Sequence, residues 1–427
     1  MIDILNANTN TEEIETILNR SQFDFSDVND TVDSIVRDVK ENGDVALLKY
    51  TRKFDSELVT ELKVSANEIE AAFKRIDETL KSDLRKAAKN IKTFHENQAP
   101  KTRTIREDET VTLKELVRPI EKVGIYIPGG TAAYPSTVLM NAIPAVVAGV
   151  KRIVMVTPPM KDGKVKDSLL VAAKIAGVDE IYTIGGAQAI AALTFGTKSI
   201  PKVDKIVGPG NIYVAMAKRM VSGYVGIDMV AGPSEILILA DESTNSEYAA
   251  ADMLSQAEHD PYASSIVLTT SKQSAESIKA AALRQTTVSM RRDIIEESLT
   301  KNGAIIICES TDQMVSLANN IAPEHLELLI QNPESVIENI LNAGAIFVGP
   351  YTPEPVGDYF AGPNHTLPTS GSARFSSALS SRDFVKVTTL TRYSKEALEK
   401  SGNSIMNIAN EEGLTAHANA VRLRMEE

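Results

Sequence analysis

The stretch Val123-Gly-Ile-Tyr-Ile-Pro-Gly-Gly130 decides the fold. Residues 123–127 read as a short buried strand, the Pro-Gly-Gly that follows breaks it, and 135–148 then reads as an alanine-rich helix. The unit recurs. Strand-like runs at 153–157, 180–184, 205–207 and 236–240 alternate with helix-like runs at 168–176, 187–195 and 212–220. Short connections between like-directed strands require right-handed crossovers, so a parallel sheet with helices on both faces is expected.

A second alternation follows. A helix behind Thr244 and Glu247, which have capping-box spacing, leads to strands at 265–269, 304–308, 325–330 and 345–348. Helices at 271–285, 312–320 and 333–342 lie between them. Two layers of the same rhythm predict an α/β protein of two Rossmann-like doubly wound domains related by internal duplication, although no residue-level repeat is visible. Residues before 100 read as amphipathic helices at 11–20, 32–50 with a break at Gly43, 69–75 behind a Ser65/Glu68 capping box, and 77–97. His95, at the end of the last, reads as a solvated surface residue. Residues 350–381 form a long Pro-, Gly-, Ser- and Thr-rich loop, and the remainder reads as a short strand with a helical tail.

The expected division is a helical N-terminal extension at 1–23, a first α/β domain at 24–122 and 236–378, a second α/β domain at 123–235, and a C-terminal helical extension at 379–427.

Composition narrows the function classes. A chain of 427 residues, 43% hydrophobic and 24% charged, suits a globular protein with a sizeable core. A net charge of -12 without a local basic patch excludes nucleic acid and anionic membrane as main partners. No apolar run approaches the about 20 residues of a membrane span, and Met-Ile-Asp-Ile-Leu-Asn is no signal segment, so a cytoplasmic location is expected. Cys308, the only cysteine, ends an apolar run and reads as an inert core residue.

Three glycine clusters, Tyr126-Ile-Pro-Gly-Gly130, Gly185-Gly-Ala-Gln188 and Gly208-Pro-Gly-Asn211, each join an expected strand to an expected helix. Such turns bind phosphate at helix N-termini, or are simply tight turns; neither the P-loop nor G-x-G-x-x-G is present. Four of the five histidines lie after residue 255. Gln256 and His259 are three apart on one expected helical turn, Glu324 adjoins His325, Glu412 precedes His417 by five, and Asp358 and His365 stand in the long loop. Imidazole and carboxylate together suit a borderline divalent ion such as zinc; scattered structural histidines are the alternative.

Six segments carry a family resemblance: VGIYIPGGTAAYPST (123–137), KIVGPGNIYV (205–214), VAGPSEILI (230–238), SQAEHDP (255–261), IAPEHLE (321–327) and GDYFAGPNHTLPTSGSARF (357–375). They closely resemble histidinol dehydrogenase, from about residue 111 to the C-terminus. The resemblance implies oxidation of L-histidinol to L-histidine through L-histidinaldehyde, by two hydride transfers to NAD, as the last steps of histidine biosynthesis. It implies one zinc per subunit, held by Gln256, His259 and Asp358 of one chain and His417 of its partner in a homodimer with shared sites. It makes Glu324 and His325 the acid–base pair, places Tyr126, Gln188 and Asn211 on NAD, and puts Ser234 and Glu412 on substrate with His325 and the zinc ligands. His365 would line the same pocket.

These residue types suit that chemistry. His325 can take the hydroxyl proton, and since Cys308 is the only thiol and ends an apolar strand, water must attack the aldehyde, with Glu324 to deprotonate it. Neighbours on a regular strand face opposite ways, so this pair requires irregular backbone at Pro323 to His325. Two rival readings remain at this point, a zinc-dependent hydrolase and a two-lobed solute-binding protein.

Overall fold

A computed structural model describes residues 2–18, 25–129 and 133–426, so Gly130 lies outside the described residues. The strands in chain order are β1 (Asp3–Asn6), β2 (Arg103–Glu107), β3 (Val111–Pro119), β4 (Lys122–Tyr126), β5 (Arg152–Thr157), β6 (Glu180–Thr183) and β7 (Lys205–Val207). Then follow β8 (Gly226–Ile227), β9 (Glu235–Ala240), β10 (Ser264–Thr269), β11 (Gly303–Ile307), β12 (His325–Leu329), β13 (Ala345–Val348) and β14 (Val385–Tyr393).

Two parallel sheets form the body. One has the order β6-β5-β4-β7-β8, the other β1-β11-β10-β9-β12-β13. Counting each from its own first strand, β4 or β9, both run 3-2-1-4-5, with β1 added at one edge of the second. The shared order supports the expected duplication. Every residue of β9 and of β10 is buried, as a strand covered on both faces requires.

Helices Ser26–Asn42, Asp44–Phe54, Gly186–Phe195 and Ile212–Val221 share one core with the five-stranded sheet. Helices Ala66–Arg75, Glu78–Gln98, Pro135–Ala148 and Asp167–Ala176 cover its other face. The helices of residues 26–98 therefore pack on the five-stranded sheet rather than forming a body with 236–378 as expected, although Glu78–Gln98 also meets the turn Gly357–Ala361, where Asn90 Nδ2 donates to Phe360 O at 2.8 Å. Apolar periodicity identifies a helix's buried face, but not the sheet it will meet. The six-stranded sheet lies between helices Ser246–Ala257, Lys272–Thr286 and Arg292–Asn302 on one side and Thr11–Leu18 and Thr311–Ile321 on the other.

Other expectations need correction. The N-terminal extension is not helical alone: β1 pairs with β11. Thr244 does not cap its helix; Asn245 does, accepting from Glu247 N, while the Thr244 hydroxyl donates to Leu329 O at 2.7 Å. The expected helix at 333–342 is only Glu334–Ile337. His95 is fully buried, because it continues the stripe of Leu84 and Ile91 at helical spacing. Its Nδ1 lies 3.0 Å from Gln98 Oε1, and burial pushes its pKa down.

The C-terminal segment forms an arm. β14 pairs along its whole length with β3 in an antiparallel sheet completed by β2. Helices Lys395–Glu411 and Thr415–Met425 then pack on each other, with Gly402 against Met425. Among the described residues no helix is long and apolar enough to cross a membrane.

Candidate active site

The site is built at the start of β9 and β12, at the amino ends of strands in the six-stranded sheet. Helix Thr311–Ile321 ends on Ala322, which takes the left-handed conformation (φ 49°), and Pro323 blocks any return to helix before β12 begins at His325. This irregular entry lets adjacent side chains share one environment. Glu324 Oε2 accepts the backbone N–H of Glu235 at 2.9 Å, and His325 Nδ1 lies 3.0 Å from Glu235 O. A carbonyl can only accept, so Nδ1 carries a proton and Nε2 is the position able to exchange one.

His325 Nε2 is buried without a hydrogen-bond partner, 3.7 Å from Asp358 Oδ1 and 3.8 Å from Glu354 Oε1. Asp358 lies in the wide helical turn Gly357–Ala361, directly after Glu354–Val356. Donor atoms of His325, Glu354 and Asp358 all fall within 4.8 Å of one another. His365 Nδ1 is 3.1 Å from Asp358 O. His259 follows the last turn of helix Ser246–Ala257, its N–H bonded to Gln256 O, and lies within electrostatic reach of Asp358 and His325. Gln256 is fully buried, and neither polar atom of its amide has a partner.

Burial governs the charges. It pushes the Glu324 carboxyl up to about 8 and Glu354 up to about 7. For His325 burial opposes the charge, but the carboxylates of Glu354, Glu324 and Asp358 outweigh it and raise the imidazolium well above its ordinary range. Burial also opposes ionisation of Asp358, yet His325, His365 and His259 hold it below the usual carboxylate range. Deeper in, Glu327 accepts the N–H of Glu354 at 2.8 Å; burial and the neighbouring Asp252 push its carboxyl up to about 9.

At the carboxyl edge of the five-stranded sheet, Tyr126, Gln188 and Asn211 stand at the ends of β4, β6 and β7. The Tyr126 hydroxyl, buried, accepts from Gly186 N at 3.1 Å, and burial pushes its pKa up to about 12. Gln188 is buried in the first turn of helix Gly186–Phe195, whose N-terminus has no side-chain cap. Asn211 caps helix Ile212–Val221 through Val214 N at 3.2 Å. Ser234, half-buried, immediately precedes β9, and its carbonyl accepts from Ser264 N.

The chain thus brings Glu324, His325, His259, Asp358 and His365 together. It leaves Glu412 and His417 exposed on the C-terminal hairpin. Sequence reading missed Glu354, Glu327, Asp252 and Glu235. For Glu354 a signal existed: it precedes Asp358 by four residues, a spacing that places both on one helical face. Cys308 is buried, and burial pushes its thiol up to about 11, as an inert core residue requires.

Residues 18–425 match the histidinol dehydrogenase family model. The chain is 51% identical to histidinol dehydrogenase of Clostridium acetobutylicum, over 96% of this chain and 95% of that protein. It is 55% identical to that of Caldanaerobacter subterraneus subsp. tengcongensis, with the same coverage. The crystal structure of histidinol dehydrogenase from Elizabethkingia anophelis superposes with a TM-score of 0.94 at 39% identity, covering 100% of this chain and 98% of that one. A family match over nearly the whole chain, relatives above half identity and one shared architecture lead to one conclusion: the chain belongs to the histidinol dehydrogenase family.

Proposed function

We propose that this enzyme, which oxidises histidinol in histidine biosynthesis, does so in two NAD-dependent steps through L-histidinaldehyde, with one zinc per subunit and sites shared across a homodimer. Family membership sets aside the hydrolase and solute-binding readings. The observation that carries the mechanism is the fixing of Glu324 and His325 on one residue, Glu235, beside Asp358 and remote in character from any reactive thiol.

The residues fit a metal. A fully buried amide with two unpartnered atoms is rare unless another group completes it, and Gln256 is such a case. Amide oxygen, imidazole and carboxylate suit a borderline divalent cation, so Gln256, His259 and Asp358 would hold zinc, with the partner subunit's His417 completing the set. When bound, zinc supplies an anchor for the amine and imidazole of the substrate. The residues also fit a dinucleotide. The N-terminus of helix Gly186–Phe195, which no side chain caps and whose first N–H meets the Tyr126 hydroxyl, suits a pyrophosphate, and Tyr126, Gln188 and Asn211 all lie toward the same carboxyl edge of the sheet.

His325 accepts the hydroxyl proton at Nε2 as the carbinol carbon gives up hydride. Zinc held by Asp358 would draw on the carboxylate that supports the His325 imidazolium, and so would favour the neutral imidazole that works as a base. Glu324 then takes a proton from water attacking the aldehyde while His325 returns its Nε2 proton to the carbonyl oxygen, and the neutral His325 takes the hydroxyl proton of the resulting hydrate as the second hydride leaves. Ser234 and Glu412 hold the substrate, and His365 lines the pocket. The test is an NADH assay of purified, zinc-loaded protein with histidinol and NAD. Two NADH per histidinol consumed are expected; a single equivalent with aldehyde accumulating would remove the second step.

A further inference from the structure

Lys218 and Asp228 form an ion pair inside the five-stranded half. Lys218 lies in helix Ile212–Val221, Asp228 directly follows β8, and their side chains are only 2% and 1% exposed. Burying two charges is costly, and an apolar pair of similar volume often serves stability as well or better. The hydrogen bonds of this pair point to a different role. Asp228 Oδ2 accepts the N–H of Gly208 at 2.7 Å, while Lys218 Nζ donates to Gly208 O at 2.9 Å. Both backbone polar groups of one residue are gripped, one by each charge. Asp228 Oδ1 also takes the N–H of Met229 at 2.6 Å.

Gly208 is the point where the glycine turn after β7 meets β4. Its φ is +111°, and a Cβ there would lie 2.1 Å from the carbonyl oxygen of Tyr126. Three residues later comes Asn211, the cap of the next helix. Gly208 therefore sits between Tyr126 and Asn211, and whatever sets its position sets their separation.

We propose that the Lys218–Asp228 pair is a positioning device for the dinucleotide, holding Gly208 so that Tyr126 and Asn211 stand the right distance apart to grip it. This rests on the reading of Tyr126, Gln188 and Asn211 as NAD contacts. Neither charge touches the dinucleotide; each acts through the backbone of Gly208. A tenfold loss of affinity is the expected scale for a contact displaced by a fraction of an ångström.

The test uses the full-length, zinc-loaded enzyme with NAD itself as the probe. The double variant Lys218→Met/Asp228→Asn removes both charges together, so neither is left buried alone, and it removes the bond to Gly208 O. Its KM and Kd for NAD should rise about tenfold, with kcat at saturating NAD and the KM for histidinol within about twofold of wild type. The charge-conserving variant Asp228→Glu keeps the pair, shifts the carboxylate by one methylene, and should show the same split if the double variant does not fold. An unchanged NAD KM in either folded variant overturns the inference. So does an equal loss in the NAD constants, kcat and the KM for histidinol alike, the mark of general loosening. If the wild-type enzyme oxidises histidinol without NAD, the underlying reading falls with it, and the wild type alone reveals this.

Discussion

The carboxylate of Glu324 stands 3.7 Å from Nδ1 of His325, and both groups are anchored on the backbone of the same third residue, Glu235. Consecutive residues of a regular strand face opposite ways, so the left-handed Ala322 and Pro323 are what make this pairing available. The arrangement leaves His325 Nε2, which faces Asp358 and Glu354, as the proton acceptor and Glu324 as a separate base.

That separation divides the labour between the half-reactions. Only the aldehyde step needs an activated water, so Glu324→Gln should slow histidinaldehyde oxidation by about a hundredfold or more and histidinol oxidation by less than about fivefold. His325→Asn should impair both. Single-turnover assays started from each substrate measure the two losses, and equal losses in Glu324→Gln would refute the division.

The same carboxyl predicts a pH dependence. Glu324 acts as a base only when ionised, and burial holds its pKa up to about 8. The rate of the aldehyde step should therefore climb about tenfold per pH unit below that value and level off above it. In Glu324→Gln this limb should vanish. A flat wild-type profile between about pH 6 and 9 would contradict the assignment.

Cys308→Ala should retain turnover within about twofold, at a cost of about 1–2 kcal/mol in urea unfolding from the small cavity it leaves. The native thiol, buried and pushed up to about 11, should resist iodoacetamide at neutral pH. Loss of aldehyde oxidation in this variant would mean that sulfur, not water, is the nucleophile.

A chelator should abolish turnover while leaving the circular dichroism spectrum in place, and zinc should restore activity. Each sheet has its own hydrophobic core on both faces, and the proposed ligands lie at helix ends and turns outside those cores. Full activity in metal-free protein would remove zinc from the mechanism.

His417→Ala and Asp358→Ala should each be inactive alone. Refolded together they should recover about a quarter of wild-type activity, since half the dimers are mixed and half the sites in those are intact. The exposure of His417 on a hairpin whose helices pack on each other motivates the experiment. A mixture as dead as its components, with heterodimers shown to form, would return His417 to its own chain.

Much of this was legible in the sequence, because the strands are short apolar runs punctuated by glycine. The run at 123–127 is β4 with both ends moved by one residue, and Gly43 does divide two helices. Lost were features set by partners distant in the chain. Helix Arg292–Asn302 carries a local signal, Ile295 and Leu299 four apart beside the pairs Arg292–Glu296 and Glu297–Lys301, that the sequence reading missed, whereas nothing local ties Lys218 to Asp228 or Glu327 to Asp252. His95 misled because polarity was weighed above its place on a buried helical stripe. The amino-end position of Glu324 and His325 also departs from the rule that open α/β sheets bind ligands at the carboxyl ends of their strands, which the glycine turns of the five-stranded sheet follow.

β1 is an edge strand whose only neighbour among the described residues is β11, with Asp3 paired to Ala304 and Asn6 to Ile307. During synthesis the five strands of the other sheet, all between residues 122 and 227, can pair as they leave the ribosome. β1 must instead wait, unpaired, for some three hundred residues to follow. It is charged at Asp3 and only four residues long, which keeps it a poor template for other nascent chains during that delay.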